Sequence, residues 1–170
     1  MRSAIALLIL AAASSLAIAH GPTRQKVTEQ VTIKAPPAAV WAKLKDFNGL
    51  QSWHPAVEKS TATDGSKAGS VRTLTIKGGG KAVEELESIN DEQMTLKYRY
   101  KEGTLPVSNY QSTLSVKPAD GGSQVEWRGA FYRGFPNNDP PPELSDEAAV
   151  KAITGIYKSG LENLKKTLEK

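Results

Sequence analysis

Between Val57 and Gly134 the chain changes side-chain class every second residue, and turn residues interrupt it at short intervals. "VRTLTIK", "AVEELESI", "MTLKYRY", "YQSTLSV" and "QVEWRGAFYRG" all alternate. Asp64-Gly65, Gly78-Gly79-Gly80, Asn90-Asp91, Glu102-Gly103 and Asp120-Gly121-Gly122 lie between the runs. A period of two with tight turns allows little besides an antiparallel meander. Such a sheet has one apolar face and must bury it against another element. The cover follows in the sequence. Val150, Ile153, Tyr157, Leu161, Leu164 and Leu168 step by three or four and form one apolar stripe. Ser145 suits the N-cap of that helix, Asp146 and Glu147 its first turn, and Lys165, Lys166 and Lys170 its far end.

Upstream, Val27–Ile33 is short and β-branched, a strand ended by Pro36 and Pro37. Val40, Trp41, Leu44 and Phe47 then recur at helical spacing, and Asn48-Gly49 breaks the helix. A second short helix is expected from Leu50 to Trp53, stopping before Pro55. The expected order is strand, two short helices, about six strands and one long helix. This is an α+β fold in which a curved antiparallel sheet of about seven strands wraps a C-terminal helix. Between sheet and helix there is room for a ligand.

The first nineteen residues read differently. Arg2 precedes an uncharged apolar run that ends Ala17-Ile18-Ala19, the pattern of a secretory signal peptide. Removal would leave residues 20–170 as a single domain, large enough for its own core. It would carry 21 basic and 18 acidic residues, a net of +3, with no Lys/Arg block. That balance does not suit a nucleic-acid binder, and it leaves room for an acidic protein partner. The absence of cysteine excludes disulfides, zinc–thiolate sites, Fe–S clusters and thiol nucleophiles. The expected location is a bacterial periplasm, with no membrane attachment after cleavage.

Strand parity selects the residues that face the helix. Met94, Leu96, Tyr98 and Tyr100 fall on one side, as do Tyr110, Ser112, Leu114 and Val116, and Val125, Trp127, Gly129 and Phe131. Gly129 among the aromatics marks a place where a cavity could be filled by a larger side chain. Arg72 shares the side of Leu74 and Ile76, and Glu84 that of Leu86. A turn at Gly78–Gly80 makes Arg72 and Glu84 cross-strand neighbours. An inward charge is costly unless paired. The pair is therefore either a structural salt bridge or a pocket feature that orients a polar ligand group. The candidate pocket is Trp53, His54, Arg72, Glu84, Tyr98, Tyr100, Tyr110, Trp127, Phe131 and Tyr157.

His54, in "WHP", raises the question of catalysis. An acid, base or nucleophile needs a partner, and no G-x-S-x-G, H-E-x-x-H or paired-carboxylate motif is present. The other histidine, His20, would become the N-terminal residue and could chelate copper only if the fold brought the two together. Trp53 and His54 are instead expected to end a short helix at the open rim of the sheet and to shape a pocket mouth. No catalytic residue, metal or cofactor is assigned. One segment stands apart: "PNNDPPPELSD" cannot be helix or central strand. Within it Asn137, Asn138, Asp139, Pro140, Pro141 and Pro142 form a candidate partner-contact loop near the pocket rim.

This order of elements, with "WHPAV" after the short helices and "EELESINDE" on a middle strand, resembles the Bet v 1/START-like helix-grip (SRPBCC) superfamily. Within it the chain is similar to the small polyketide cyclase/dehydrase domains. "AHGPTRQKV", "LPVSNYQSTLSV", "VEWRGAFYRGFPNNDPPPEL" and "DEAAVKAITGIYKSGLE" resemble the MxaD type of periplasmic proteins from bacterial methanol-oxidation systems. That resemblance implies a non-enzymatic accessory role. The partner would be methanol dehydrogenase, its cytochrome c acceptor or both, and the role would lie in electron transfer or maturation. The alternative from the residues is a binder of a hydrophobic small molecule or lipid, or a cyclase-like protein, using the cavity between sheet and helix.

Overall fold

Strand β1 (Gln25–Ile33) opens the fold and buries Val27 and Ile33. The computed structural model describes residues 21–170; the expected signal segment 1–19 and His20 lie outside the described residues. Pro36 is extended and Pro37 occupies the first turn of α1 (Pro37–Leu44), where its missing N–H costs nothing. Helix α1 buries Val40, Trp41 and Leu44. Phe47, expected on the same stripe, lies beyond the C-cap Lys45 but is fully buried. The expected second helix is a single 3-10 turn, Leu50–Ser52. A tighter winding suits so short a segment between Gly49 and Pro55.

Six strands follow: β2 (Val57–Ala62), β3 (Val71–Ile76), β4 (Lys81–Asn90), β5 (Thr95–Gly103), β6 (Val107–Ala119) and β7 (Gly122–Arg133). With β1 they form one seven-stranded sheet in the order β1-β7-β6-β5-β4-β3-β2. Every pairing is antiparallel, and only β1 against β7 joins strands distant in sequence. The β3–β4 turn needs its glycines: Gly78, Gly79 and Gly80 have φ of 82°, 100° and 116°. Register shifts at Val83/Glu84 and Leu86/Ser88 in β4, and at Ser108/Gln111 in β6, curl the sheet.

Helix α2 (Asp146–Leu168) lies on the concave face, against β1 and β7. The Ser145 hydroxyl accepts from the Ala148 amide at 3.1 Å and caps it. Ala149, Ile153, Tyr157, Gly160, Leu161 and Leu164 are its buried side. Gly160 marks the closest approach to the core. A Cβ there would lie 2.7 Å from His54 Cδ2 and 2.8 Å from Trp127 Cζ3, while one on Gly155 would meet nothing.

The two glycines should therefore respond oppositely to alanine. Gly155→Ala gains helix propensity and should stabilise the fold by about 1 kcal/mol. Gly160→Ala forces two buried rings apart and should destabilise it by about 1–3 kcal/mol. Urea unfolding of both variants checks this. Stabilisation by both would mean that α2 does not sit this close to the sheet.

Candidate ligand site between sheet and helix

A cavity of about 110 Å³ lies between strands β2–β5, the segment Leu50–Val57 and the middle of α2 at Ile156. Of the residues expected to line a pocket, it brings together His54, Glu84, Tyr98, Tyr110 and Trp127 on its wall. The others lie elsewhere. Trp53 is buried edge-on to Trp127, ring centroids 5.7 Å apart. Phe131 is fully buried against Tyr110. Tyr100 is half-buried and accepts the Leu105 amide at 3.2 Å. Tyr157 stacks on Trp127 at 4.4 Å, with 17° between the rings. Arg72 stands behind Glu84.

The expected space at Gly129 is already filled: a Cβ there would collide with the Tyr157 hydroxyl and lie 2.8 Å from Tyr110 Cε2. The cavity is thus displaced toward β2–β5. Its wall takes in Leu50, Ile76, Thr104, Leu105 and Ile156. Parity marked Ile76 as inward. Thr104 and Leu105 sit in the β5–β6 turn, where parity does not apply, and Ile156 flanks the apolar stripe of α2.

Beneath the cavity the polar tips of four aromatic residues satisfy one another. Trp127 Nε1 donates to Ser112 Oγ at 2.9 Å and to Tyr98 at 3.1 Å. The Tyr157 hydroxyl lies 2.8 Å from that of Tyr110 and 2.9 Å from Ser112 Oγ. Tyr98 and Tyr110 approach at 3.4 Å. Burial, reinforced by the Glu84 charge, pushes the Tyr98 phenol up to about 12. Burial likewise holds Tyr110 and Tyr157 well above the ordinary phenol value. All three are neutral at pH 7, so none is poised as a base.

Arg72 and Glu84 face each other across β3 and β4 and are buried, at 4% exposure each. Nε and one terminal nitrogen of Arg72 each lie 2.7 Å from Glu84 Oε2. The other terminal nitrogen donates to the Phe47 carbonyl at 2.9 Å. The guanidinium also lies over the Phe47 ring, 4.1 Å from its centroid, and 5.0 Å from that of Tyr98. This explains why Phe47 is buried outside its helix. It forms the floor on which the cation rests.

Trp53 and His54 are not at an open rim. Their exposures are 2% and 3%, because the turn that carries them is tucked under α2 beside Gly160. His54 Nε2 donates to the Ile156 carbonyl at 3.0 Å, and Nδ1 accepts the Ala56 amide at 3.2 Å. This pattern fits the neutral ring with the proton on Nε2. Burial lowers its pKa, the Ile156 bond opposes that, and the Arg72 charge lowers it further. Both nitrogens are occupied by backbone partners.

The Pro-rich loop contributes nothing to the cavity wall. Its root is fixed by Arg133, a residue not singled out from sequence although β7 parity continues to it from Phe131. Arg133 donates to the carbonyls of Phe135 (3.1 Å) and Asn137 (2.9 Å) and to Asp146 Oδ2 (3.0 Å). Pro142–Leu144 form a 3-10 turn, and Asn137, Asn138 and Asp139 are exposed.

Residues 24–169 match the family described as polyketide cyclase / dehydrase and lipid transport, and the chain belongs to it. The MLP-like protein 423 of Arabidopsis thaliana is 29% identical over 129 residues, 70% of this chain and 83% of that protein. The abscisic acid receptor PYL7 of the same plant is 30% identical over 51% of this chain, but only 42% of the receptor is spanned. Among solved structures, the protein XoxI from Bacillus cereus superposes with a TM-score of 0.73 at 34% identity, covering 84% of this chain and 94% of that one. The ginseng major latex-like protein 151 from Panax ginseng gives 0.69 at 15% identity, covering 85% and 97%. The last is a likeness of fold alone, and it is the helix-grip fold.

Arg72→Ala strands the Glu84 carboxylate and should destabilise the fold by about 3–5 kcal/mol in urea unfolding, whereas Arg72→Leu combined with Glu84→Met should cost far less. A single-variant cost no larger than that of an exposed pair would show that the two are not buried together. His54, with its folded pKa below its unfolded value, favours folding above pH 6.5. That contribution is lost as pH falls from 6.5 through the folded pKa. The urea midpoint should drop between pH 7.5 and 5, and His54→Gln should flatten the drop. An equal drop in the variant would assign it to other groups.

Proposed function

We propose that this member of the polyketide cyclase/dehydrase and lipid transport family is a non-enzymatic binding protein for a small, largely apolar molecule, acting in the periplasm once its signal segment is removed. The observation that carries the reading is the cavity: about 110 Å³, lined mainly by aliphatic and aromatic side chains with one carboxylate on its wall. Ligand pockets are commonly about 300–1,000 Å³. A dry engineered cavity of roughly 150 Å³ takes up benzene. The fitting body is therefore about one ring, or a short aliphatic chain. The histidine, with both ring nitrogens engaged by the backbone, supports binding without turnover. The receptor named among the relatives illustrates that mode on a similar sequence.

A second reading, an accessory role in methanol oxidation with methanol dehydrogenase or its cytochrome c as partner, is supported by the sequence resemblance and by one structural feature. The Pro-rich loop is exposed at its tip but held at its root by the buried Arg133. A loop with its backbone already ordered loses little entropy on docking. Ligand binding and docking are compatible in one molecule.

Native mass spectrometry of the protein isolated from its own periplasm should show a bound species beyond the polypeptide mass, released on denaturation. Bare protein that also takes up no small aromatic compound would remove the binding reading. For docking, the mature protein should raise the rate of methanol dehydrogenase with its cytochrome c acceptor in a saturable manner. Replacing Asn137–Pro142 by a Gly/Ser linker should weaken that effect several-fold with the fold intact. An unchanged titration would exclude the loop as the contact.

A further inference from the structure

Arg72 grips Glu84 through one oxygen only. Both of its 2.7 Å contacts fall on Oε2. Glu84 Oε1 receives no hydrogen bond from the described residues, and Glu84 is part of the cavity wall. The other polar groups on that wall are engaged. Tyr98 and Tyr110 belong to the hydroxyl network. The Thr104 hydroxyl pairs with the Lys81 backbone. Both His54 nitrogens have partners. A single carboxylate oxygen is thus the acceptor that an occupant of this apolar space would meet.

We infer that the cavity selects a neutral ligand that donates one hydrogen bond to Glu84: an alcohol or phenol with an apolar body of about one ring. This rests on the small-molecule-binding reading above and names its ligand class. Three competing chemistries are disfavoured. A carboxylate-bearing ligand would bring a second anion against Glu84 in a low-dielectric space. A cation would give up its hydration for a carboxylate that Arg72 already neutralises. A hydrocarbon of the same shape would bury Oε1 without a donor, and an unsatisfied buried acceptor is costly. A neutral hydroxyl meets the acceptor and leaves the rest of the ligand to the aliphatic wall. The hydrogen bond it makes is charge-assisted and correspondingly strong.

Phenol, toluene and benzoate share a ring and differ in the group that would face Glu84. Calorimetric titration of the purified protein, with amide chemical shifts of β4 and the His54 turn followed by NMR, should show phenol binding at least about tenfold tighter than toluene. Benzoate should bind more weakly than either. The double variant Arg72→Leu, Glu84→Met keeps the core filled and should lose the preference for phenol while still binding toluene. Equal affinity for phenol and toluene would overturn the donor assignment and leave the apolar cavity standing. A phenol preference that survives in the double variant would overturn Glu84 as the acceptor. Failure of all three compounds to bind would overturn the binding reading itself, and this inference with it.

Discussion

The Tyr157 ring lies flat on Trp127, and its hydroxyl closes the hydrogen-bonded set formed with Tyr110, Ser112 and Tyr98. Much of the molecule depends on that contact. It joins α2 to β5, β6 and β7 at one point and supplies partners for polar atoms that have no access to water. A buried hydroxyl without a partner costs about 1–3 kcal/mol, so sliding α2 along the sheet would take the Tyr157 hydroxyl from Tyr110 and Ser112 and leave the Tyr110 hydroxyl without its shortest contact. The helix is therefore held in one register by polar geometry as well as by its apolar stripe.

That register also decides where space remains. Tyr157 occupies the volume above Gly129, so the sheet is solidly packed at β7 and hollow toward β2–β5. On the hollow side α2 is met by the His54 turn instead of by strands. Gly160 permits the approach, and the Ile156 carbonyl accepts the His54 ring proton. Arg72 and Glu84 complete that side, with Phe47 beneath the guanidinium. The wall is thus set by α2, the loop after α1 and strands β2–β5, with Tyr110 and Trp127 beside them, which places a single carboxylate in an otherwise largely apolar space.

The sheet, its antiparallel turns and the covering helix could be read from periodicity, because alternation and helical spacing are local properties. The Arg72–Glu84 pair was also legible: a glycine turn at residues 78–80 and the period of two suffice to place the two side chains opposite each other. The cavity's position was not. Parity says which face a side chain takes, not whether the opposing element fills the space, and Gly129 is the clear case. Nor did "WHP" carry any mark of burial. Its depth follows from Gly160, more than a hundred residues away, and no local pattern links the two. Arg133 lay within reach of the same parity argument, one step past Phe131.

The central claim is that a small apolar cavity persists between His54, Glu84, Tyr98, Trp127 and Ile156 in the folded protein. Xenon probes it most directly, because the atom enters dry apolar cavities of this order and requires no specific chemistry. Crystals pressurised with xenon should show one site among those five side chains. A structure with no xenon there, or with the space taken up by repacked side chains, would contradict the account.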